Sequence, residues 1–347
     1  MRLLRGIAAL ALTAAILPLS SSAPAQSGLS ESGFRSYLPQ LEAQARRAGV
    51  SPGTIASVFP NLVFSARTVE LDRAQPGGRP GSNANPPFAP YRARHVTPAL
   101  VAGGQRRYAA NLSRLQAIGR RYGVTPSVLV AIWGHETSYG AVTGNFDLLN
   151  SLASLAYDGR RRQLFSDEFV AALKMIDRGV PRYRLKGSWA GATGYPQFLP
   201  SVWLRLGSDG DGDGRSDIWR SEPDALASIA NYLNNAGWRA GVPWGVAVRV
   251  PAGFDRSRVR NTLRAPRCPR VYERHSRWLT FGEWRRLGIV AQNGIWPRDS
   301  EMASLIEPDG PNATAYLLTT NYRTILDYNC SNFYALSVGL LADAIAR

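Results

Sequence analysis

Between Val128 and Gly140 the chain reads VLVAIWGHETSYG, and this stretch limits the folds open to it. Val128 to Trp133 are apolar at every position, so a helix here has no side to give to water and must be buried all round. Thr125 and Pro126 suit an N-cap and a first helical position, and Gly140 suits a stop, which together bound a helix of about four turns. Other elements must pack around it. Glu136 then lies in the last turn, where the helix dipole and the apolar surroundings both disfavour a negative charge. Both effects raise a carboxyl pKa, which is what a general acid needs near neutral pH. A helix-end glutamate that simply reaches solvent fits the same stretch, so the remainder of the chain has to decide.

Arg2 and Arg5 precede an apolar run from Ile7 to Leu19 and small residues at Ala23, Pro24 and Ala25. That pattern predicts a secretory signal peptide over residues 1–25, cut before Gln26. No cysteine near the cut suggests a lipid anchor, and no later run is long enough to span a bilayer. The expectation is an exported, soluble protein. Removing the signal leaves 322 of the 347 residues, and losing its two arginines lowers the formal charge from +16 to +14. Such a surplus favours a polyanionic partner or an anionic envelope. Export and the even spread of arginine count against nucleic acid as that partner. The two cysteines, Cys268 and Cys330, are expected to pair in an oxidising compartment, and closing a loop of that length stabilises a fold by roughly 4 kcal/mol.

The periodicity predicts a mainly α fold with a small β subdomain. Helical spacing runs from Leu29 to Gly49, from Ser51, from Thr97 to Gly123, over Leu148–Tyr157, Phe165–Arg178 and Pro223–Ala236, and from Tyr328 to Ala346. Asp72 to Tyr91, rich in Pro, Gly and Asn, reads as a loop or linker, and Lys186 to Pro200 as an ordered loop. Short β-branched or alternating runs at Gly245–Pro251, Val271–Thr280 and Thr314–Thr320 suggest strands.

The adjacent His135 and Glu136 call for a test of the zinc-protease helix motif, which needs a second histidine at position 139; that residue is Tyr. No Gly-x-Ser-x-Gly elbow supports a serine nucleophile. Carboxylate acid/base chemistry is left. The joint occurrence of GHETSYG ahead of Asn145 and Phe146, the loop GATGYPQFLPS, an aspartate loop ending in DIW, and DALASIANYL followed by GW resembles the soluble lytic murein transglycosylase B family, over most of the chain from about residue 30. Thr193 and Leu199 stand where that family usually has Met, a departure that touches packing more than chemistry.

The resemblance implies a lysozyme-like core and a periplasmic enzyme that cleaves the β-1,4 bond between N-acetylmuramic acid and N-acetylglucosamine of peptidoglycan without water, leaving a 1,6-anhydromuramic end. The single acid/base falls on Glu136. Paired-carboxylate glycosidases would need a second acid, for which Asp147 is the nearest candidate and is read as structural or solvated. Substrate contacts are expected from Gly191, Gly194 and Gln197, and from Tyr328, Asn329 and Tyr334, with Tyr334 near the acid. The glycines serve equally well as turn residues, and the tyrosines as half-buried core.

Asp209 to Asp217 reads DGDGDGRSD, close to an EF-hand loop, with Asp209, Asp211 and Asp213 as side-chain ligands, Arg215 at the main-chain position and Asp217 at the ninth. Position 12 is Arg220 instead of glutamate. The resemblance implies a lengthened loop whose last acid is Asp224, with Glu222 as fallback, holding a structural calcium ion. The expected organisation is an N-terminal α region over 26–100, a lysozyme-like catalytic core with the calcium loop over 101–242, a β subdomain over 243–325 and a returning C-terminal helix over 326–347. A hydrolytic muramidase on the same fold and a non-catalytic peptidoglycan-binding protein are the rival readings.

Overall fold

The computed structural model describes residues 28–75, 86–262, 264–265 and 268–347. The expected signal peptide lies outside the described residues. Ser30 caps the first helix, α1 (Glu31–Arg47), whose Phe34, Leu38, Leu41 and Ala45 face inward at helical spacing. Two short helices follow, α2 (Pro52–Val58) and α3 (Ala66–Arg73), each started by a serine cap. α1 and α2 pack with α8 (Leu148–Asp158), α9 (Arg162–Asp177) and α10 (Pro200–Leu206) around one apolar cluster that includes Phe169, Leu173, Phe198 and Trp203, and α3 lies against α8.

The second cluster is built around α7 (Pro126–Thr137), on which Leu129, Ile132 and Trp133 are wholly buried. Its neighbours are α5 (Pro98–Ala110), α6 (Leu112–Tyr122), α11 (Glu222–Asn235), α14 (Thr320–Tyr328) and α15 (Asn332–Ile345). Before α5 lies α4 (Ala89–His95), which begins within the stretch to Tyr91 expected to be loop; none of its residues is buried, so it offers no apolar period to read. The single helix expected from Thr97 to Gly123 is divided at Asn111, whose side-chain amide donates to the Arg107 carbonyl and to Glu222 and so competes with the backbone ladder. The C-terminal helix begins at Asn332, with Ser331 as its cap, because Asn329–Ser331 form a turn whose Cys330 is bonded to Cys268.

A two-stranded ribbon pairs β1 (Phe146–Asp147) with β2 (Lys186–Gly187). The β subdomain is an antiparallel sheet of five strands in the order β4, β6, β7, β3, β5, where β3 is Gly245–Arg249, β4 Leu279–Thr280, β5 Val290–Ala291, β6 Met302–Ile306 and β7 Ala315–Leu318. The central register sets Leu317 opposite Val246 and Leu305. A short helix, α13 (Phe281–Arg286), buries Trp284 against the sheet and opens with a capping box between Thr280 and Glu283. Two of the expected strands are present at β3 and β7. Val271–Thr280 is different: the end of α12 (Pro269–Tyr272) and a turn occupy most of it, Ser276 makes an isolated bridge to Arg260, and only Leu279–Thr280 forms a strand.

The end of α7 departs from the expected glycine stop. Thr125 is extended but makes no side-chain cap, and the helix ends at Thr137, three residues before Gly140. Ser138 and Tyr139 take left-handed φ values of 49° and 62°, a conformation that costs about 1 kcal/mol or more per non-glycine residue. Tyr139 compensates. Its ring enters a slot whose walls are Gly103 and Gly104 of α5 and Gly134 of α7, and its hydroxyl donates to the Leu100 carbonyl at 2.7 Å. A Cβ on Gly134 would stand 2.5 Å from that ring. Gly134→Ala is therefore expected to lower stability by about 1–3 kcal/mol in urea unfolding, whereas an unchanged midpoint would show that the slot has room to relax.

Candidate active site

Packing of α15 on α7 brings together a carboxyl and a hydroxyl that lie far apart in the chain. The Tyr334 hydroxyl donates to Glu136 Oε1 at 2.7 Å. Burial pushes the Glu136 pKa up from 4.5 to about 7, and the bond from Tyr334 opposes that shift without cancelling it. Among the described residues this hydroxyl is the carboxyl's one hydrogen-bond partner. Tyr328 lies parallel to Tyr334 at 6.5 Å, and its hydroxyl donates to the Pro196 carbonyl at 2.6 Å, tying α14 to the loop over 186–200. Burial, with the Glu136 charge next, holds both phenols well above the ordinary range, so they remain hydroxyl donors.

The same loop is also anchored to the end of α7. The Thr137 hydroxyl lies 3.2 Å from the Tyr195 carbonyl and accepts from the Gly140 N–H at 3.0 Å. Gln197, itself left-handed at φ 50°, donates its side-chain amide to the carbonyls of Thr143 and Gly194. The loop is an ordered platform, as its sequence suggested, closed by bridges from Thr193 to Gly187 and Phe198. Gly191 and Gly194 have φ values of 93° and 71°, and a Cβ on either would run into Leu152 or Ile218. Turn geometry and close packing inside the protein account for both. Asn329 is exposed at the end of α14. Asp147 caps α8 through the Asn150 N–H, which is the structural role expected of it.

Two residues of this centre, Tyr91 and His95, were not marked by the sequence, and His135 was weighed there only as a metal ligand. Tyr91 of α4 lies near enough for the Glu136 charge to help raise its pKa, after burial. Its ring stacks on His95 at 3.8 Å, and His95 stacks on His135 at 5.3 Å. The His135 pKa is lowered to about 4 by burial and then by His95, so the ring beside the acid is uncharged. The only available signal was the four-residue spacing of Tyr91 and His95 in a segment without apolar periodicity.

Asp209, Asp211 and Asp213 present carboxylate oxygens within 4.8 Å of one another. Asp209 accepts from the Gly212 and Gly214 N–H groups, which shape the turn. Asp217 is paired with Arg184 at 2.6 Å and Arg220 at 3.2 Å. Asp224 is 1% exposed and accepts from the N–H groups of Gly210 and Asp217, pinning both ends of the loop to α11. The first three aspartates, with an exposed Arg215 beside them, have the hard-oxygen chemistry a calcium ion takes.

A family model described as the transglycosylase SLT domain matches residues 33–343. The chain belongs to the transglycosylase SLT family. Membrane-bound lytic murein transglycosylase B of Escherichia coli K12 is 31% identical over 271 residues, 77% of this chain and 70% of that protein. SltB3 of Pseudomonas aeruginosa, solved in complex with NAG-anhNAM-pentapeptide, superposes with a TM-score of 0.80 at 39% identity, covering 90% of this chain and 79% of its own. The E. coli lytic transglycosylase Slt35, solved in complex with calcium, superposes at 0.69 with 27% identity over 91% and 93%. The family resemblance read from the motifs is thereby borne out, as is the mainly helical, lysozyme-like class. No helix among the described residues is long and apolar enough to cross a membrane.

The elevated pKa has a stability consequence. Between pH 4.5 and 7 the folded protein keeps a proton that an unfolded chain has released, so stability falls as pH rises through that window and stays lowered above it. Glu136→Gln removes the penalty. Its melting temperature is expected to exceed that of the wild type at pH 8 and to match it at pH 4; no gain at pH 8 would contradict the shifted carboxyl.

Proposed function

We propose that this SLT-family chain is a periplasmic lytic transglycosylase that cleaves the bond between N-acetylmuramic acid and N-acetylglucosamine in peptidoglycan, with Glu136 as its single acid/base. The observation that carries this reading is a lone carboxyl, held protonated near neutral pH by burial and oriented by Tyr334. Names of relatives support the reaction class, and the peptidoglycan fragments bound by SltB3 support the substrate class.

Tyr334 donates to Oε1, so in the neutral acid the proton sits on Oε2. In the first half of the reaction Oε2 gives that proton to the glycosidic oxygen as the bond to the muramoyl anomeric carbon breaks, with the substrate's N-acetyl group stabilising that carbon. In the second half the muramoyl C6 hydroxyl attacks the anomeric carbon and its proton returns to Glu136. No water enters and the enzyme is regenerated. One carboxyl suffices because its two tasks are sequential. Gln197, Tyr328 and Asn329 are the side chains we assign to the sugar groove, whereas Gly191 and Gly194 serve it by shaping the loop.

The acidic loop is assigned to calcium, held by Asp209, Asp211 and Asp213 and the main-chain carbonyl of Arg215. Asp217 and Asp224 brace the loop instead of facing the ion directly. Calcium would neutralise the clustered charge and stiffen the loop, and it carries no proton. The calcium complex of Slt35 supports this assignment.

Glu136→Gln is expected to lower the rate of sacculus digestion by roughly 10²–10⁴-fold, in line with the usual contribution of an acid/base group. Mass analysis of the wild-type products should show ends that lack one water relative to reducing ends; reducing ends would mean hydrolysis, and undiminished digestion by the variant would remove Glu136 from its role. For the metal, a chelator is expected to lower the melting temperature reversibly on readdition of calcium, and an unchanged value at saturating chelator would refute the site.

A further inference from the structure

The last turn of α7 is tied to α15 twice. Besides the bond from Tyr334, His135 Nε2 lies 2.8 Å from Ser337 Oγ, and that hydroxyl lies 2.9 Å from the main-chain carbonyl of Tyr334. A carbonyl only accepts, so both contacts of Ser337 are satisfied when its one proton goes to Tyr334 and the proton between Ser337 and His135 comes from Nε2. Nε2 thus carries a proton, and because burial lowers the pKa of His135 to about 4 the ring is the neutral Nε2–H tautomer. Its edge-to-face contact with Tyr334 at 4.6 Å and its stacking with His95 leave it little room to turn. The bonds close a circuit that runs from the Glu136 carboxyl through Tyr334 and Ser337 to His135 and back along one peptide unit to Glu136.

We propose that His135 is a positioning residue for the reaction: its Nε2–H, acting through Ser337, holds α15 in the register that keeps the Tyr334 hydroxyl on Glu136 Oε1. The inference rests on the reading of Glu136 as the acid/base. A histidine suits the position because it donates while uncharged. A lysine or arginine there would place a cation beside Glu136 and favour the carboxylate, the wrong starting state for an acid. A phenylalanine would keep the ring contacts and lose the bond. When the bond is lost, α15 can slip relative to α7, the carboxyl gains rotamers, and fewer encounters present Oε2 to the glycosidic oxygen.

The test uses the full chain and purified glycan strands, with kcat, KM and melting temperature measured for His135→Phe, Ser337→Ala, their combination, and His135→Gln, which restores an amide N–H donor. Each single variant is expected to lower kcat roughly 10- to 100-fold with KM within about twofold. The combination should be no worse than the worse single variant, since both break one circuit, and His135→Gln should recover most of the loss. Wild-type kcat in both single variants overturns the proposal, as do losses that multiply in the combination or no recovery by His135→Gln. Glu136→Gln separates this failure from that of its premise. If that variant is inactive while the single variants match wild type, only the positioning role falls; if it digests normally, the reading of Glu136 falls.

Discussion

A helix with no polar side exists only where other elements enclose it, and α7 is enclosed by α5, α6, α11 and α15. Complete burial of Leu129, Ile132 and Trp133 is worth about 1.5–3 kcal/mol for each side chain. The same enclosure leaves the one acidic residue of α7 only partly exposed, so the packing that makes the core also sets the chemistry at its end. The left-handed turn after Thr137 belongs to this arrangement: Tyr139 folds back into a glycine-walled slot, fixing the last turn of α7, on which Glu136 sits.

Electrostatics around Glu136 follow from what the enclosing elements offer. They bring phenol hydroxyls and an uncharged imidazole, and no carboxylate is its hydrogen-bond partner among the described residues. Desolvation dominates and keeps the acid protonated, while a single hydroxyl orients it. Asp147, the nearest acid in sequence, is occupied as a helix cap. A site with one proton-carrying group suits a reaction that gives a proton and later takes it back.

Much of this was legible in the sequence, for identifiable reasons. The uniform apolarity of Val128–Trp133 and the regular spacing in α1, α9 and α11 carry their elements openly, and Pro126 marks where α7 starts. The break at Asn111 was hidden because it depends on a distant partner, Glu222, and the pairing of Cys330 with Cys268, though expected, does not by itself say where the helix before it must end. Tyr91 and His95 were hidden for a related reason: α4 has no buried face, and only the fold reveals that it lies against His135, beside Glu136. Gly191 and Gly194 were visible as special positions, but whether they serve sugar or packing depended on Leu152 and Ile218.

The central claim is that enclosure of α7 makes Glu136 an acid that titrates near neutrality. It is tested most directly by carbon-13 NMR of the side-chain carboxyls in protein labelled at glutamate, with the Glu136 resonance assigned by its loss in Glu136→Gln. The account predicts that this resonance titrates with a midpoint near 7. A midpoint at the ordinary 4.5 would show that the carboxyl is hydrated and would contradict the account.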